Sequence, residues 1–305
     1  YNINTPDGIV PAASDFNPDL PVDRINTYSF YTQYQDRFPI LAGLLLTAGV
    51  RYDEGDSEAS EYENWSPRIA LVQKLDQKWN LKFLAGQALR SPGLKETGLN
   101  QQIIINQAKN NITVNAPPIE PEIIKSYEIG VTYNDENTLA SLTFFTNETT
   151  DTIDRVQVPN AATGVAIYEN VSDEIEAKGV EVELKQLLSS RWRLFANYSY
   201  ADSEDSDGVE ISDVPYGKAN VGITFLGDKY TANLIVRHIA GYQVADSSAY
   251  NDTGSYEVFD FNFNRKISKS VTIGIQIRNL LDEEYLLPKT SVNYGFTVDD
   301  LGEVP

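Results

Sequence analysis

Val271-Thr-Ile-Gly-Ile-Gln-Ile-Arg278, a stretch near the C-terminus, alternates apolar and polar residues without a break. The run before it alternates in the same way, with phenylalanines on one side and acidic or amide residues on the other: Phe259, Phe261 and Phe263 against Asp260, Asn262 and Asn264. Successive side chains of a β-strand point to opposite faces, so each run predicts a strand with one apolar face. Only Ile267-Ser-Lys-Ser270 separates the runs, which predicts an antiparallel hairpin with a tight turn.

The length of these runs bears on the environment of the hairpin. Each covers about nine to eleven residues, the length that a tilted strand needs to cross the hydrocarbon layer of a bilayer. Strands in soluble proteins average about five or six residues. A soluble β-sandwich or propeller also alternates between core and water, so that class stays open, but the length favours a transmembrane strand.

Three sequence motifs resemble those of a known family. Asn279-Leu-Leu-Asp-Glu-Glu-Tyr285 is similar to the Asn-Leu-Leu-Asp-x-x-Tyr sequence near the C-terminus of TonB-dependent outer-membrane receptors. The other two are Trp65-Ser-Pro-Arg-Ile-Ala70 followed by Ala88-Leu-Arg-Ser-Pro-Gly93, and Glu120-Pro-Glu122 leading into Lys125-Ser-Tyr-Glu-Ile-Gly130. Their order and spacing match the family's barrel over most of the chain. Four residues match motifs that mark barrel architecture at the outer ends of strands rather than ligand contacts: Arg90, Asn279, Asp282 and Tyr285.

This resemblance implies energised import of a scarce nutrient, such as a ferric siderophore, cobalamin or a similar small molecule or metal chelate. A ligand would bind at the extracellular face, an N-terminal plug domain inside the barrel would rearrange, and the TonB complex would supply the work. The implied location is the bacterial outer membrane, in contact with lipid and lipopolysaccharide.

The chain departs from the family's pattern in extent. It shows neither a plug domain nor a TonB box, and it predicts about twelve strands where the family barrel has roughly 22. It stops at Leu301-Gly-Glu-Val-Pro305, before the final strand that such barrels carry. We therefore expect one all-β domain over residues 1–305, an antiparallel up-and-down transmembrane β-barrel that is partial and trimmed at both ends. Its open edges should make it unstable alone.

Composition excludes several classes of protein. A net charge of −20 argues against nucleic-acid binding, because a phosphate backbone needs a basic surface. The lack of cysteine excludes a disulfide scaffold and a thiolate metal site. No apolar run approaches the roughly twenty residues of a membrane helix, so any crossing must use strands. The chain also lacks methionine, so we expect an N-terminus that is processed or cut from a longer protein.

The chain reads as six up-down hairpins, with a Pro-rich loop at residues 1–23 and no helical segment longer than a turn or two. The paired strands are predicted at 25–35 with 44–52, 65–74 with 79–88, 124–134 with 139–147, 175–187 with 192–201, 216–225 with 230–242, and 256–266 with 271–278. Joins within hairpins are short and joins between hairpins are long, as in outer-membrane barrels with periplasmic turns and extracellular loops. The candidate ligand-binding loops are therefore 53–64, 90–122, 148–174, 202–215 and 245–255.

Aromatic and charged residues occupy defined places in this pattern. Six aromatic residues fall at predicted strand ends, where a girdle would meet the two lipid interfaces, although core filling is an alternative: Trp65, Trp79, Trp192, Tyr200, Tyr230 and Tyr242. Six charged residues face inward, where they could contact a plug domain or pair with one another across neighbouring strands: Glu128, Glu181, Glu183, Arg193, Asp260 and Arg278.

No catalytic constellation emerges from the sequence, and we do not expect an enzyme. The single histidine, His238, sits beside Arg237 at a strand end, and Ser66 and Ser91 lack the surroundings of a nucleophile. The best metal candidate is an acidic run that could bind Ca²⁺ loosely, through Asp202, Glu204, Asp205 and Asp207. It is not an EF-hand, because Val214 would stand where the bidentate Glu belongs, and plain solvation of the acidic run is the simpler interpretation.

The acidic connections also suggest a ligand type. They would repel an anionic ferric catecholate over a Debye length of roughly 8 Å, which predicts a neutral or cationic ligand, or binding residues elsewhere. Three alternatives stay open: a passive porin, a soluble β-rich adhesin or carbohydrate-binding module, and a complete twelve-stranded barrel that carries an enzyme. A porin would need no plug domain, and the soluble module would need no detergent.

Overall fold

A computed structural model describes residues 24–39, 43–57, 60–109, 114, 116–158, 165–171, 174–211, 214–242 and 254–285. Its elements, in chain order, are β1 (Asn26–Phe38), β2 (Leu44–Ser57), β3 (Ser60–Lys74), β4 (Trp79–Arg90), α1 (Leu94–Lys109), β5 (Glu122–Asn134), β6 (Thr138–Thr150), β7 (Ile153–Gln157), β8 (Ala166–Asn170), β9 (Ile175–Leu187), β10 (Trp192–Asp205), β11 (Gly217–Leu226), β12 (Tyr230–Ile239), β13 (Tyr256–Lys266) and β14 (Thr272–Ile277). The loop predicted at 1–23, most of the connection 245–255 and the C-terminal residues 286–305 lie outside this description.

Twelve of these strands form one antiparallel sheet in which each strand pairs with the next one along the chain. The exception is the β7–β8 hairpin, which lies between β6 and β9 in sequence and forms a sheet of its own. Strands β1 and β14 each have one neighbour among the described residues. These residues therefore do not close the sheet into a complete barrel. The predicted architecture, an up-and-down antiparallel β-barrel wall that is partial, is confirmed.

The strand register aligns apolar side chains into continuous rows on one face, which we call the outer face. Five neighbouring strands contribute one such row: Phe83, Ile129, Phe144, Val180 and Tyr200. Within the described part of the chain no second layer covers these residues, since Ile129 is 51% exposed and Phe144 is 53% exposed. The C-terminal hairpin behaves in the same way, with Ile275 56% exposed. A soluble sandwich would bury this face, so its exposure argues against that alternative.

The opposite, inner face carries polar residues and small glycines. The two ends of the sheet differ. The turn end carries the short joins at 39–43, 75–78, 135–137, 188–191, 227–229 and 267–271, and the loop end carries the other connections. Buried apolar residues of the described chain concentrate at the loop end rather than along the wall: Tyr62, Val114, Ile119, Ala166, Ile167, Tyr256 and Val258.

Short polar side chains close the joins at the turn end. Asp76 accepts hydrogen bonds from the backbone N–H groups of Lys78 and Trp79 at 2.6 and 2.8 Å. Asp135 does the same for Asn137 and Thr138, at 3.0 and 2.9 Å. The Tyr133 hydroxyl, with these N–H groups, holds the pKa of the Asp135 carboxyl well below its usual range. Asp at this turn position mimics a backbone acceptor, which explains why the joins can be so short.

Aromatic rings on the outer face form a belt at the turn end. Trp79 contacts Tyr133 with ring centroids 4.9 Å apart, and Trp192 contacts Phe225 at 4.8 Å. Tyr230 stacks on Phe225 at 5.5 Å. Trp79, Trp192 and Tyr230 each open a strand, as predicted.

The predicted strand-end position is wrong for Trp65 and Tyr200, which lie inside β3 and β10. These strands continue past the aromatic residues toward the loop end. Trp65 still pairs with Tyr52 on the outer face, with ring centroids 4.9 Å apart. Trp192 and Tyr200 are separated by eight residue steps, or roughly 26 Å along a strand. The apolar rows between these levels are as tall as the hydrocarbon belt of an outer-membrane barrel, about 25 Å.

Two further predictions are corrected by the structure. The acidic loop predicted at 53–64 is largely strand, because β2 runs to Ser57 and β3 begins at Ser60. Backbone pairing continues there after the apolar alternation has stopped. The connection 90–122 contains helix α1, whereas no helix was expected. Among the described residues, no helix has the length and apolar character needed to cross a membrane.

Helix α1 was missed because its apolar residues do not form a stripe of helical period. Ile103, Ile104 and Ile105 are consecutive, and the surrounding residues are amides. Its start is specified locally instead, since the Gly93 N–H donates to the Glu96 carboxylate at 2.7 Å. A Glu three residues after the N-cap is the acidic half of a capping box, so this signal was present in the sequence.

Three inner-face glycines each lie beneath an aromatic ring of the neighbouring strand. The pairs are Gly55 with Tyr62, Gly179 with Phe145, and Gly222 with Phe195. A Cβ added at Gly222 would come within 2.1 Å of the Phe195 ring. The missing side chain therefore lets the ring lie flat against the wall.

The Gly222→Ala variant should destabilise the folded wall by about 1–3 kcal/mol, because the added methyl overlaps the Phe195 ring. The matched control is Gly86→Ala on the same face, where the nearest heavy atom would be 3.4 Å away. We expect that control to be neutral. Urea midpoints from heat-modifiable gel mobility would measure both variants. Equal midpoints for the two would contradict the packing argument.

Candidate functional site

The loop end of β1 to β4 encloses a cavity of about 530 Å³ on the inner face. Its lining includes Tyr31, Arg51, Asp53, Arg68, Ala88 and Ser91. Inner-face residues of four adjacent strands converge here because the strand register places them at neighbouring positions. A concave surface with a few convergent polar groups is the usual form of a small-molecule site.

One of the two arginines in this cavity is neutralised by a buried carboxylate. Asp53 is 2% exposed, and its Oδ1 accepts hydrogen bonds from Ser29 Oγ at 2.6 Å and Arg51 Nε at 2.8 Å. Arg51 Nη2 also donates to Ser29 Oγ at 3.1 Å. These three side chains form a closed network, in which the Asp53 carboxylate neutralises the charge of the Arg51 guanidinium.

Arg68 is the second arginine, and it keeps its charge. Its Nη2 donates to Gln33 Oε1 at 2.6 Å, which fixes the guanidinium without neutralising it. Across the described ranges, no carboxylate lies within 4.0 Å of Arg68. The sequence reasoning missed this residue, although Arg68 stands in the Trp65-Ser-Pro-Arg stretch at an inward position of the alternation.

Acidic side chains at this end point the other way. Glu54 and Asp56 of β2 share the outer face with Tyr52, and Glu61 and Glu63 of β3 share it with Trp65. The register sets Glu54 directly opposite Glu63, and Asp56 opposite Glu61. Because strand residues alternate between faces, these four carboxylates lie outside the wall, whereas the two arginines and the ion-paired Asp53 lie inside. The expected repulsion of an anionic ligand therefore loses its basis for residues 53–64.

Arg90, a predicted motif residue, ties together four elements at the loop end. Its Nη2 and Nε form a two-pronged ion pair with the Glu122 carboxylate, with Nη2 2.7 Å from Oε1, and its Nη1 lies 3.0 Å from Glu96 in α1. Glu122 Oε1 also accepts the backbone N–H of Ile153, the first residue of β7, at 2.8 Å. Arg90 thus joins β4, β5, α1 and β7, and its role as an architectural motif residue stays a prediction.

The other motif residues form a compact turn after β14. The Asn279 side chain donates to the Glu283 carbonyl at 3.0 Å and accepts the Glu283 N–H at 2.9 Å. Asn279 and Asp282 have φ values of 50° and 55°, in the left-handed region that these residues tolerate better than most. Tyr285 stacks on Tyr256 with ring centroids 4.2 Å apart. The motif thus folds against the loop end of β13.

The candidate loops differ in structure at the loop end. Connection 90–122 holds α1, and connection 148–174 holds the β7–β8 hairpin, which contacts α1. Connection 202–215 is shorter than predicted, since β10 continues to Asp205. Residues 243–253, which include most of 245–255, fall outside the described ranges.

The four residues considered for Ca²⁺ are not gathered into one site. Asp202 and Glu204 lie on β10, opposite Lys178 and Glu176 of β9. The Asp205 carboxylate instead accepts the backbone N–H groups of Asp207 and Val209, at 3.0 and 2.8 Å. Within the described part of the chain, no three acidic, histidine or cysteine side chains are grouped to hold a metal ion. Loose Ca²⁺ binding stays a prediction.

Three of the six inward-facing charged residues have ion-pair partners on the wall. Glu128 lies 3.1 Å from Lys82 across β4 and β5, and Asp260 lies 2.9 Å from Arg237 across β12 and β13. Glu183 pairs with Lys185 on its own strand. For the others no partner lies within 4.0 Å among the residues described: Glu181, Arg193 and Arg278. Ion pairing on the wall thus accounts for half of the set, and pairing across neighbouring strands for two of the six residues.

The residues considered for catalysis do not form one group, since Ser66 and Ser91 line the cavity at β1 to β4 while His238 lies on β12. His238 Nδ1 is 2.7 Å from the Glu257 carboxylate on the neighbouring strand β13, on the outer face. Ser66 lies on β3, where its Oγ accepts a hydrogen bond from Asn64 Nδ2 at 3.1 Å. Ser91 lies between β4 and α1. The structure does not bring these groups together.

Comparison with known proteins places this geometry in context. The family described as TonB dependent receptor-like, beta-barrel, matches residues 1–280. An iron-regulated outer membrane virulence protein of Vibrio cholerae is 25% identical over 282 residues, which cover 87% of this chain and 42% of that protein. A ferric enterobactin receptor of Pseudomonas aeruginosa is 23% identical over 279 residues, covering 82% of this chain and 37% of the relative.

Solved structures show the same fold. The FrpB iron transporter from Neisseria meningitidis superposes with a TM-score of 0.69 at 17% identity, over 86% of this chain and 42% of that chain. The copper transporter OprC gives a TM-score of 0.71 at 15% identity, over 92% and 46% of the two chains. The chain spans about two-fifths of the length of the curated relatives that it matches. Since the family match covers most of its residues, the chain belongs to the β-barrel domain family of the TonB-dependent receptors.

Proposed function

We propose that this chain forms part of the wall of an outer-membrane receptor that imports a scarce nutrient. The observation that carries the proposal is the single-layer sheet with an exposed apolar outer face, bounded by aromatic rings and backed by a polar inner face. In that setting the turn end faces the periplasm and the loop end faces the outside. The outer face contacts lipid, with lipopolysaccharide beside the acidic residues of β2 and β3.

The inner face supports a plug domain as the further partner. Glu181, Arg193 and Arg278 project from the inner face without a wall partner among the described residues. Charges in such a position are satisfied by water or by a body inside the barrel. We therefore propose that a plug domain occupies the interior and transmits the action of the TonB complex, and that the protein is a transporter rather than an enzyme.

The inner cavity at the loop end suggests the chemistry of the ligand. Arg68 presents a fixed, unneutralised guanidinium, and this group binds carboxylate and other planar oxygen anions well. Because the acidic side chains of β2 and β3 face outward, we propose a metal chelate with anionic oxygens rather than the neutral or cationic ligand that composition suggested. Two of the relatives are named as receptors for ferric enterobactin and ferric pyoverdine, which fits this class.

The membrane assignment can be tested with two adjacent residues on opposite faces. Phe144→Lys places a charge on the outer face and should cost about 2–4 kcal/mol in a bilayer. Thr143→Lys is the control, because its inner-face position lies opposite Glu181. We expect only Phe144→Lys to lower the amount of folded protein in outer membranes, measured by heat-modifiable mobility. Equal tolerance of both lysines, with protein recovered without detergent, would favour the soluble module.

Energised import is tested with the protein expressed from its own gene. Uptake of ferric enterobactin should stop in a host that lacks TonB and after a protonophore is added, while surface binding remains. A passive porin would keep its uptake under both conditions. Uptake that is unaffected by the loss of TonB would therefore contradict the proposal.

The role of Arg68 predicts a charge-dependent loss of binding. Arg68→Gln should weaken binding of ferric enterobactin to whole cells by about tenfold and flatten its salt dependence, because one charge-assisted contact is lost. Arg193→Gln is the matched control, an inner-face arginine at the turn end. Equal losses in both variants, or selective binding of neutral and cationic chelates by the wild type, would rule out Arg68 as an anion contact.

A further inference from the structure

Two neighbouring connections at the loop end are joined by hydrogen bonds of asparagine side chains. The first connection, 91–121, carries α1, and the second, 151–174, carries β7 and β8. Asn100 of α1 donates from Nδ2 to the Tyr168 carbonyl at 2.6 Å and accepts the Tyr168 N–H on Oδ1 at 2.7 Å. The side-chain amide thus makes the pair of bonds that an adjacent strand would make.

The second connection returns the same contact to the first. Asn170 of β8 donates from Nδ2 to the Glu120 carbonyl at 2.9 Å, and its Oδ1 accepts the Glu120 N–H at 2.7 Å. Nδ2 also reaches the Asp151 carbonyl at 2.7 Å, which closes the base of the β7–β8 hairpin. Each connection therefore holds the backbone of the other by one amide side chain.

Burial makes the Asn100 contacts hard to exchange for water, whereas the bonds between Asn170 and Glu120 are exposed. Asn100 is 4% exposed and Thr97, one turn earlier on α1, is 1% exposed. Ala166 and Ile167 of β8 are each 4% exposed, and Ile119 is 2% exposed. A buried backbone N–H or carbonyl that loses its partner is costly, so opening one connection leaves the other unsatisfied.

Two more contacts attach this pair of connections to the wall. Glu122, which forms an ion pair with Arg90, accepts the N–H of Ile153 at 2.8 Å. The first residues of β5 and β7 are therefore joined through the Glu122 carboxylate. Ser60, 5% exposed at the start of β3, donates from Oγ to the Ile119 carbonyl at 2.7 Å. Three successive loop-end joins are thereby linked by one set of polar contacts, of which the Ser60–Ile119 bond is buried.

We infer that Asn100 and Asn170 are positioning residues that make the described parts of connections 91–121 and 151–174 a single body at the loop end. Only the role of this coupling, the capture of a ligand at the loop end, rests on the proposed function. Neither asparagine needs to touch the ligand. Both act by fixing where α1 and the β7–β8 hairpin stand relative to the inner cavity beside Ser91.

Hydrogen exchange of the detergent-purified protein, expressed in full from its own gene, tests this coupling. Asn100→Ala should speed exchange by about tenfold or more at three places together, which are Tyr168, Glu120 and the first turns of α1. Asn170→Ala should give the same pattern, although the two substitutions lie on different connections. The control is Gln102→Ala, since Gln102 bonds to Asn106 within α1 at 3.1 Å.

The decisive outcome is whether the change crosses from one connection to the other. Acceleration confined to the connection that carries the substitution would overturn the inference. If Asn100→Ala fails to reach the outer membrane, Asn100→Asp retains the acceptor for the Tyr168 N–H and replaces the donor with a carboxylate oxygen that faces the Tyr168 carbonyl. That variant should show the same coupled pattern of acceleration, and an uncoupled pattern would again overturn the inference.

A transport measurement separates this inference from the proposed function. Uptake of ferric enterobactin by the Asn100→Ala cells should fall by about tenfold relative to the Gln102→Ala cells, if the coupled body serves capture. Wild-type cells that take up no ferric enterobactin would contradict the proposed ligand but leave the exchange result to decide the coupling. Coupled exchange with unchanged uptake would overturn the positioning role.

Discussion

Backbone pairing between neighbouring strands is the constraint on which this structure depends. A sheet with one face in hydrocarbon has no water to satisfy an unpaired N–H or carbonyl on that side, so each strand must lie against the next. The chain meets this requirement by running up and down, with twelve strands in sequence order apart from the inserted β7–β8 hairpin. The wall then needs no packed core, and glycines opposite aromatic rings, such as Gly222 opposite Phe195, keep its inner face compact.

The loop end is held together by different interactions from those that stabilise the wall. Its connections enclose a small buried core and are held by side-chain to backbone hydrogen bonds, among them those of Asn100 and Asn170. These bonds join segments that are 68 and 50 residues apart. A short polar side chain with a donor and an acceptor can replace a strand neighbour where no strand is available. The same reciprocal amide contact closes the Asn279 turn, within four residues.

At β2 and β3 charge is sorted by face. Glu54, Asp56, Glu61 and Glu63 lie on the outer face, whereas Arg51, Arg68 and the ion-paired Asp53 line the inner cavity. Net charge alone therefore says little about the ligand of such a protein. The electrostatic field inside the wall is set by the few charged residues whose side chains point inward.

The sequence by itself determined the wall: the alternation in Val271 to Arg278 and in its counterparts established antiparallel strands, their faces and their short turns. Period-two patterning is a local signal, and every strand that faces lipid must show it. The tertiary structure alone decided the loop end, where α1, the Asn100 and Asn170 contacts and the extension of β2 to Ser57 appear. The asparagine contacts depend on partners that are far away in sequence, and no apolar period marks α1, although the capping contact between Gly93 and Glu96 at its start is local. The Arg68 site falls between the two cases, because alternation points the side chain inward, but only the register brings Gln33 to it.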